Sequence, residues 1–143
     1  MEYELHAISE DLIFVRWLHD PTPMAENAYL SLLEMLLDEA CEPLYLIVDV
    51  RDGQPTSPRM LRRVAELSQH PYFGGSVSYG HKAHASAHLE AFRRRAVPGH
   101  HEDMVETVGH ALDYLDRLKP GVTARIDRGG LELLYGYGSV AAH

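Results

Sequence analysis

Most of the side chains that could carry out chemistry in this 143-residue chain surround one segment, residues 44–57, with the sequence LYLIVDVRDGQPTS. Asp49 interrupts an otherwise apolar run, and Arg51 and Asp52 follow it directly. At the carboxyl end of a buried strand, such groups can line a ligand crevice. Paired carboxylates can exchange protons, but nothing in the segment fixes their separation or supplies a nucleophile. The alternative is a structural role, in which Asp49 pairs with an arginine or caps a neighbouring loop.

A hydroxyl-bearing pair, Thr56 and Ser57, directly precedes Pro58 at the predicted start of a helix. A phosphate on either hydroxyl would gain from the helix dipole and the free N–H groups of the first turn. The simpler function of Ser57 is to cap the helix, which is worth about 1 kcal/mol. The two interpretations are compatible, and Ser57 and Thr56 are therefore the candidate phosphorylation sites.

Ten histidines are present, and three of them, His81, His84 and His88, follow the i, i+3, i+7 spacing of one helical face. Histidines one turn apart can bind a divalent metal. Here His81 follows a glycine ahead of the predicted helix, and no cysteine or nearby acidic residue completes a ligand set. We therefore expect solvated or pH-responsive histidines, with no metal and no cofactor.

The composition limits the class of protein. Hydrophobic residues make up 45% of the chain and charged residues 24%, which is typical of one globular domain. The formal net charge of −8 disfavours nucleic acid and anionic membranes as partners. No apolar run approaches the roughly 20 residues of a membrane span, and no signal peptide is recognisable. We expect a cytoplasmic protein without membrane insertion.

P-loop, GxGxxG, GxSxG, CxxC and HExxH motifs are absent, so no catalytic residue and no enzymatic activity are predicted.

Hydrophobic periodicity predicts strands alternating with helices along most of the chain. Residues 44–50 are almost continuously apolar, which is typical of a strand buried on both faces. The predicted strands are 3–8, 11–18, 44–50 and 76–79, and the predicted helices are 24–40, 58–69, 83–95 and 102–118. Residues 97–98 form either a short strand or a turn. Two further short strands are suggested at 122–126 and 131–135.

This order, β-β-α-β-α-β-α-(β)-α, resembles the STAS-like superfamily, the fold of bacterial anti-sigma-factor antagonists and of sulfate-transporter cytoplasmic domains. The resemblance covers roughly residues 3–119. It rests on LYLIVDV at 44–50, the helix start at 56–58, SVSYG at 76–80 and VETVGHALDYLDRL at 105–118. It implies an α/β fold with a mixed sheet of four to five strands and flanking helices, in a domain spanning 1–120. It also implies that the serine phosphorylated in some members corresponds to Ser57, or to Thr56 beside it.

These observations favour a non-enzymatic regulatory or protein-interaction domain that uses the loop after the third strand. The alternative is a small-ligand domain that binds a nucleotide, an anion or a lipid. Its site would be the crevice between the ends of strands 44–50 and 76–80, with Tyr79, His81 and Arg51 as contacts.

Residues 121–143 form a C-terminal extension that is unusually apolar for a solvated tail. The extension either packs on its own domain or pairs with a neighbouring chain. Because adding a strand to a sheet edge is a common route to dimers, we expect residues 122–137 to form a hairpin or arm that makes a homodimer contact.

Overall fold

The computed structural model describes residues 2–55, 57–80 and 102–132, which form one five-stranded sheet with flanking helices. In chain order the elements are β1 (Tyr3–Ala7), β2 (Leu12–Trp17), α1 (Pro23–Glu39), β3 (Leu44–Asp49), α2 (Pro58–Leu67), β4 (Phe73–Tyr79), β5 (Glu102–Val105), α3 (Val108–Leu118) and α4 (Arg128–Leu131). The predicted α/β class is confirmed. No helix in these ranges is long and apolar enough to cross a membrane.

The sheet is mixed, and its strands lie side by side in chain order. β1 and β2 form the predicted antiparallel hairpin, and each later strand runs parallel to its predecessor. β3 occupies the centre, as its apolar sequence indicates, because a strand with helices on both faces exposes neither side to water.

The helices α1 and α2 begin at the caps that the sequence predicts. Thr22 Oγ1 accepts a hydrogen bond from the N–H of Ala25 at 3.2 Å, and Pro23 occupies the first turn of α1. Ser57 caps α2 in the same way, ahead of Pro58. Proline fits there because the first helical N–H groups have no partner within the helix. The predicted helices 24–40 and 58–69 agree with the structure to within two residues at each end.

The core has two halves, one on each face of the sheet. Alternate residues of β2 and β3 point to opposite faces, as strand geometry requires. The half beneath α1 and α2 includes Ile13, Val15, Trp17, Leu33, Leu46 and Met60. The half beneath α3 includes Phe14, Ile47, Val77, Leu112 and Leu115. The strands β2 and β3 thus carry their charged residues, Arg16 and Asp49, near their carboxyl ends, where the loops begin.

The predicted helix over 102–118 is wrong in its first third. Residues 102–105 form β5, which pairs in parallel with β4, and α3 begins only at Val108. Thr107 caps α3 by accepting a 3.1 Å hydrogen bond from the N–H of His110. The acidic residues at 102 and 103 are typical of the first turn of a helix. Here the backbone groups of this segment instead form strand hydrogen bonds with β4.

The strand predicted at 122–126 is also wrong, because these residues form turns, and residues 128–131 are helical. Gly121 has a φ of +88°, and the chain reverses there after α3. Thr123 then donates to Asp116 of α3, so the start of the extension packs on its own domain. The predictions at 83–95 and 97–98, and the part of the predicted 131–135 strand after residue 132, lie outside the described residues.

Candidate functional site

Three polar residues lie side by side where the parallel strands β2, β3 and β4 end. The strand register pairs Arg16 with Asp49 and pairs Asp49 with Tyr79. All three positions therefore lie at the carboxyl edge of the sheet, where ligand sites of open α/β folds are found. We define Arg16, Asp49, Arg51, Asp52 and Tyr79 as the edge cluster.

Asp49 is the centre of the edge cluster and is fully buried. Its Oδ1 accepts hydrogen bonds from the backbone N–H and from Nε of Arg51, both at 3.0 Å. Its Oδ2 accepts from Nη2 of Arg51 at 2.8 Å and from the hydroxyl of Tyr79 at 3.0 Å. Each oxygen thus accepts two hydrogen bonds, and this satisfies a charge that would otherwise be costly to bury.

The two arginines of the edge cluster are held by its carboxylates. Arg16 Nη2 donates to Asp52 at 2.9 Å, and this bond raises the pKa of Arg16 despite partial burial. Burial lowers the pKa of Arg51, but the hydrogen bonds and charge of Asp49 outweigh it, so the net shift is upward. Both guanidinium groups remain charged, and the two carboxylates balance them.

Tyr79, the last residue of β4, is the member of the edge cluster that contacts both Asp49 and Arg51. Its ring lies under the Arg51 guanidinium, with 5.4 Å between the guanidinium carbon and the ring centroid. Burial, followed by the negative charge of Asp49, raises the pKa of the Tyr79 hydroxyl well above its ordinary value. Because the hydroxyl stays protonated, it acts as a permanent donor to Asp49 rather than as a proton-transfer group.

The loop from β3 to α2 is fixed against the loop after β2. The N–H of Gln54 donates to Asp20 at 2.9 Å. At Gly53 the backbones approach so closely that an added Cβ atom would lie 2.1 Å from the carbonyl oxygen of His19. Only glycine fits this approach, so this close contact between the two loops depends on Gly53.

Ser57 lies at the far end of the same loop and faces α1. Its hydroxyl donates to the carboxylate of Glu26, at 2.8 Å to Oε2, and accepts from the N–H of Met60 at 3.1 Å. Glu26 is 5% exposed. The serine is therefore both the cap of α2 and the partner of a buried carboxylate.

Of the predicted site residues, Asp49, Arg51 and Tyr79 are in direct contact, and Asp52 joins them through Arg16. Ser57 belongs to the separate contact with Glu26. The predicted pairing of Asp49 with an arginine is confirmed. Thr56, His81, His84 and His88 lie outside the described residues.

Sequence reasoning missed two members of these contacts, Arg16 and Glu26. A charged side chain in the apolar strand 11–18 was a signal for Arg16, since it stands among Phe14, Val15 and Trp17. Glu26 lies beside Ala25 at the base of the apolar stripe of α1, and only helix packing shows that it is buried. Within the described ranges, no three histidine, cysteine or acidic side chains are grouped to hold a metal ion.

With this geometry established, comparison with known proteins defines the fold. No protein-family model matches the chain, and no curated protein matches it. A solved structure does match, that of an uncharacterized protein from the DUF3478 family with a SpoIIAA-like fold, from Shewanella loihica PV-4. It is 17% identical, with a TM-score of 0.56, over 79% of this chain and 91% of that chain. The chain has the SpoIIAA-like fold.

The SpoIIAA-like fold confirms the STAS-like resemblance as a statement about architecture. In this fold, Ser57 lies at the start of the helix after the third strand, the position to which the phosphorylation prediction was assigned. At 17% identity the match shows a shared arrangement of helices and strands, and it gives no information about activity.

Proposed function

We propose that this chain is a cytoplasmic, non-enzymatic regulatory domain that binds a protein partner through residues 51–57 and the exposed side of α2. The SpoIIAA-like fold and the fixed loop after β3 support this proposal. A preformed loop binds at a lower entropic cost than one that must order on contact.

The edge cluster contributes structure rather than catalysis. Both oxygens of Asp49 already accept two hydrogen bonds each, and the Tyr79 hydroxyl donates to one of them. A general base needs a free lone pair near the proton that it removes. The cluster instead anchors the beginning of the loop, while Ser57 anchors its end.

Ser57 is the proposed point of regulation, and the single observation that carries this is its hydrogen bond to the buried Glu26. A phosphate on Ser57 would place about two negative charges against that carboxylate. Repulsion would separate the start of α2 from α1 and change the surface that a partner meets. Phosphorylation of this capping residue would therefore regulate partner binding.

The test is site-specific photocrosslinking in cells that produce the protein. A photoreactive amino acid replaces Arg62, which is exposed on α2, and the control places it at Ser31, which is exposed on α1. We expect one dominant protein crosslink from position 62 and little crosslinking from position 31. Adding Ser57→Asp is expected to reduce the crosslink from position 62 at least fivefold, which corresponds to about 1 kcal/mol of binding free energy. Equal crosslinking at both positions, or no response to Ser57→Asp, would contradict the proposal.

A second candidate function is small-ligand binding at the edge cluster. Arg51 Nη1 is buried and has no hydrogen-bond partner among the described residues. An oxygen acceptor on a nucleotide, an anion or a lipid would satisfy it. His81 stays the other predicted contact, since the predicted contact Tyr79 already donates its hydroxyl proton to Asp49. A thermal-shift screen over these three ligand classes tests this, with Arg51→Lys as the comparison variant. Stabilisation that is lost in Arg51→Lys would favour ligand binding over partner binding.

Self-association through residues 122–137 stays a prediction. Val122 and Thr123 are buried against their own domain. Any dimer contact would therefore use the exposed part of this segment, and sedimentation equilibrium at several protein concentrations would measure it.

A further inference from the structure

The outer side of β1 is an edge of the sheet that no described strand covers. β1 is the first strand in the order of the sheet, and its register with β2 is unbroken along its whole length. Natural edge strands commonly carry a lysine, a proline or a bulge that hinders pairing with another chain. The sequence of β1, YELHA, contains no lysine and no proline. This edge can therefore accept one more strand.

The hydrogen bonds of the hairpin show which backbone groups of β1 point outward. The carbonyl of Glu2 accepts from the N–H of Leu18 at 2.9 Å, and the N–H of Ile8 donates to the carbonyl of Leu12 at 3.0 Å. In an antiparallel pair, residues bonded to the partner strand alternate with residues whose N–H and C=O point away from it. The even-numbered residues of β1 thus bond to β2, and the odd-numbered ones direct both groups to the open edge. These outward residues are Tyr3, Leu5 and Ala7.

The sequence of β1 is complementary to itself in one antiparallel register. If Leu5 of one copy lies opposite Leu5 of a second copy, then Tyr3 lies opposite Ala7, and every outward N–H meets an outward C=O. The same register places Glu4 opposite His6, at a non-hydrogen-bonded position where side chains approach most closely. A shift by two residues would oppose Glu4 to Glu4 or His6 to His6, so charge selects this register.

The two faces of such a strand pair also fit the sheet. Tyr3 and Leu5 pack against the half of the core beneath α1, so apolar side chains would meet on that face. Glu4 and His6 lie on the opposite face, with 3.7 Å between Oε2 and Nε2. Their side chains are 39% and 52% exposed, so a second copy can reach both of them.

We propose that two copies of this chain associate through β1, with a two-fold axis at Leu5 that joins their sheets edge to edge. Such a contact is isologous, because each strand offers the other the same groups. The occupant is a second copy because the carboxylate and the imidazole of β1 complement each other across that axis. The contact lies apart from residues 51–57 and α2, so it does not depend on the proposed function.

Sedimentation equilibrium of the full chain at several concentrations measures this association. Ala7→Pro removes an outward N–H without removing a bond to β2, and it is expected to weaken the dimer at least about tenfold. Ala7→Val retains the N–H and suits a strand, so it is expected to associate as the wild type does. A wild type that stays monomeric up to about 1 mM would overturn the proposal. Equal association of Ala7→Pro and wild type would also overturn it, since the contact would then lie elsewhere, such as at residues 122–137.

A second pair of variants tests the register without a proline. His6→Glu opposes carboxylates across the two-fold axis and is expected to weaken the dimer about tenfold. Glu4→His/His6→Glu exchanges the two residues and restores complementary pairs, so its affinity is expected to lie within about threefold of the wild type. If the exchange variant associates no better than His6→Glu, the strands do not pair in this register and the proposal is overturned.

Discussion

The hydroxyl of Ser57 lies 2.8 Å from Oε2 of Glu26, so the N-cap residue of α2 is hydrogen-bonded to a buried carboxylate of α1. The two residues are 31 positions apart in the chain. The same hydroxyl caps α2 by accepting from Met60. One side chain therefore fixes both the start of a helix and its contact with a neighbouring helix.

Replacing this serine is expected to cost both interactions. Ser57→Ala should lower the free energy of unfolding by about 2–4 kcal/mol, since it removes a cap and removes a donor to a buried carboxylate. Urea denaturation measures the loss. In a double-mutant cycle with Glu26→Ala, the coupling free energy should be at least about 1 kcal/mol.

The matched control for this cycle is Ser31→Ala, on the exposed side of α1. It is expected to change stability by less than about 0.5 kcal/mol. A coupling free energy near zero between Ser57 and Glu26 would show that their contact does not hold the two helices together.

Tyr79→Phe is expected to destabilise the protein by about 1.5–3 kcal/mol, because Asp49 loses a donor that cannot be replaced by water. The effect should depend on pH. The folded pKa of Tyr79 is raised above its unfolded value, so its contribution is complete below the unfolded pKa of about 10. It is lost as the pH rises beyond that value, since the unfolded phenol releases its proton while the folded one retains it.

Denaturation at several values between pH 8 and pH 11 measures this dependence. The difference in stability between wild type and Tyr79→Phe should be constant up to about pH 9.5 and then shrink. A difference that stays constant to pH 11 would show that the hydroxyl ionises as readily in the folded protein as in the unfolded chain.

Asp49→Asn is expected to be among the most damaging single changes, at about 3–5 kcal/mol, because it leaves the Arg51 charge buried beside a neutral amide. The side chain of Arg51 is only 6% exposed. The double variant Asp49→Leu/Arg51→Met removes both charges and should be more stable than Asp49→Asn. Thermal and urea denaturation at pH 7 compare them, and a double variant less stable than the single one would show that the uncompensated Arg51 charge is not the main cost of Asp49→Asn.

The elements that local sequence determines were predictable. β3 was recognisable because six of the seven residues at 44–50 are apolar, which suits a strand covered on both faces. The helices α1 and α2 were located by a hydroxyl residue followed by proline, a signal that acts within one turn. The position of Asp49 at the end of a buried strand also follows from sequence, which left pairing with an arginine and capping of a neighbouring loop as alternatives.

What the sequence could not show depends on pairing between distant segments. β5 has four residues, and it is a strand only because β4 offers an unpaired edge beside it. The choice of Arg16 as a member of the edge cluster depends on the register of β2 against β3. The burial of Glu26 depends on the angle at which α1 meets α2, which no local pattern encodes.

The close approach at Gly53 provides a direct test of the fixed loop. Gly53→Ala would place a Cβ atom 2.1 Å from the backbone oxygen of His19, so the loop must move and lose the bond from Gln54 to Asp20. We expect a loss of about 2–3 kcal/mol and faster amide hydrogen exchange over residues 51–57. Gly129→Ala is the control, because its nearest neighbour would be an ordinary 3.6 Å contact with Asp127, and alanine there should be neutral or stabilising by up to about 1 kcal/mol. If both variants exchange amide hydrogens alike over 51–57, the loop is not held by the backbone at His19, and the preformed surface proposed for partner binding loses its support.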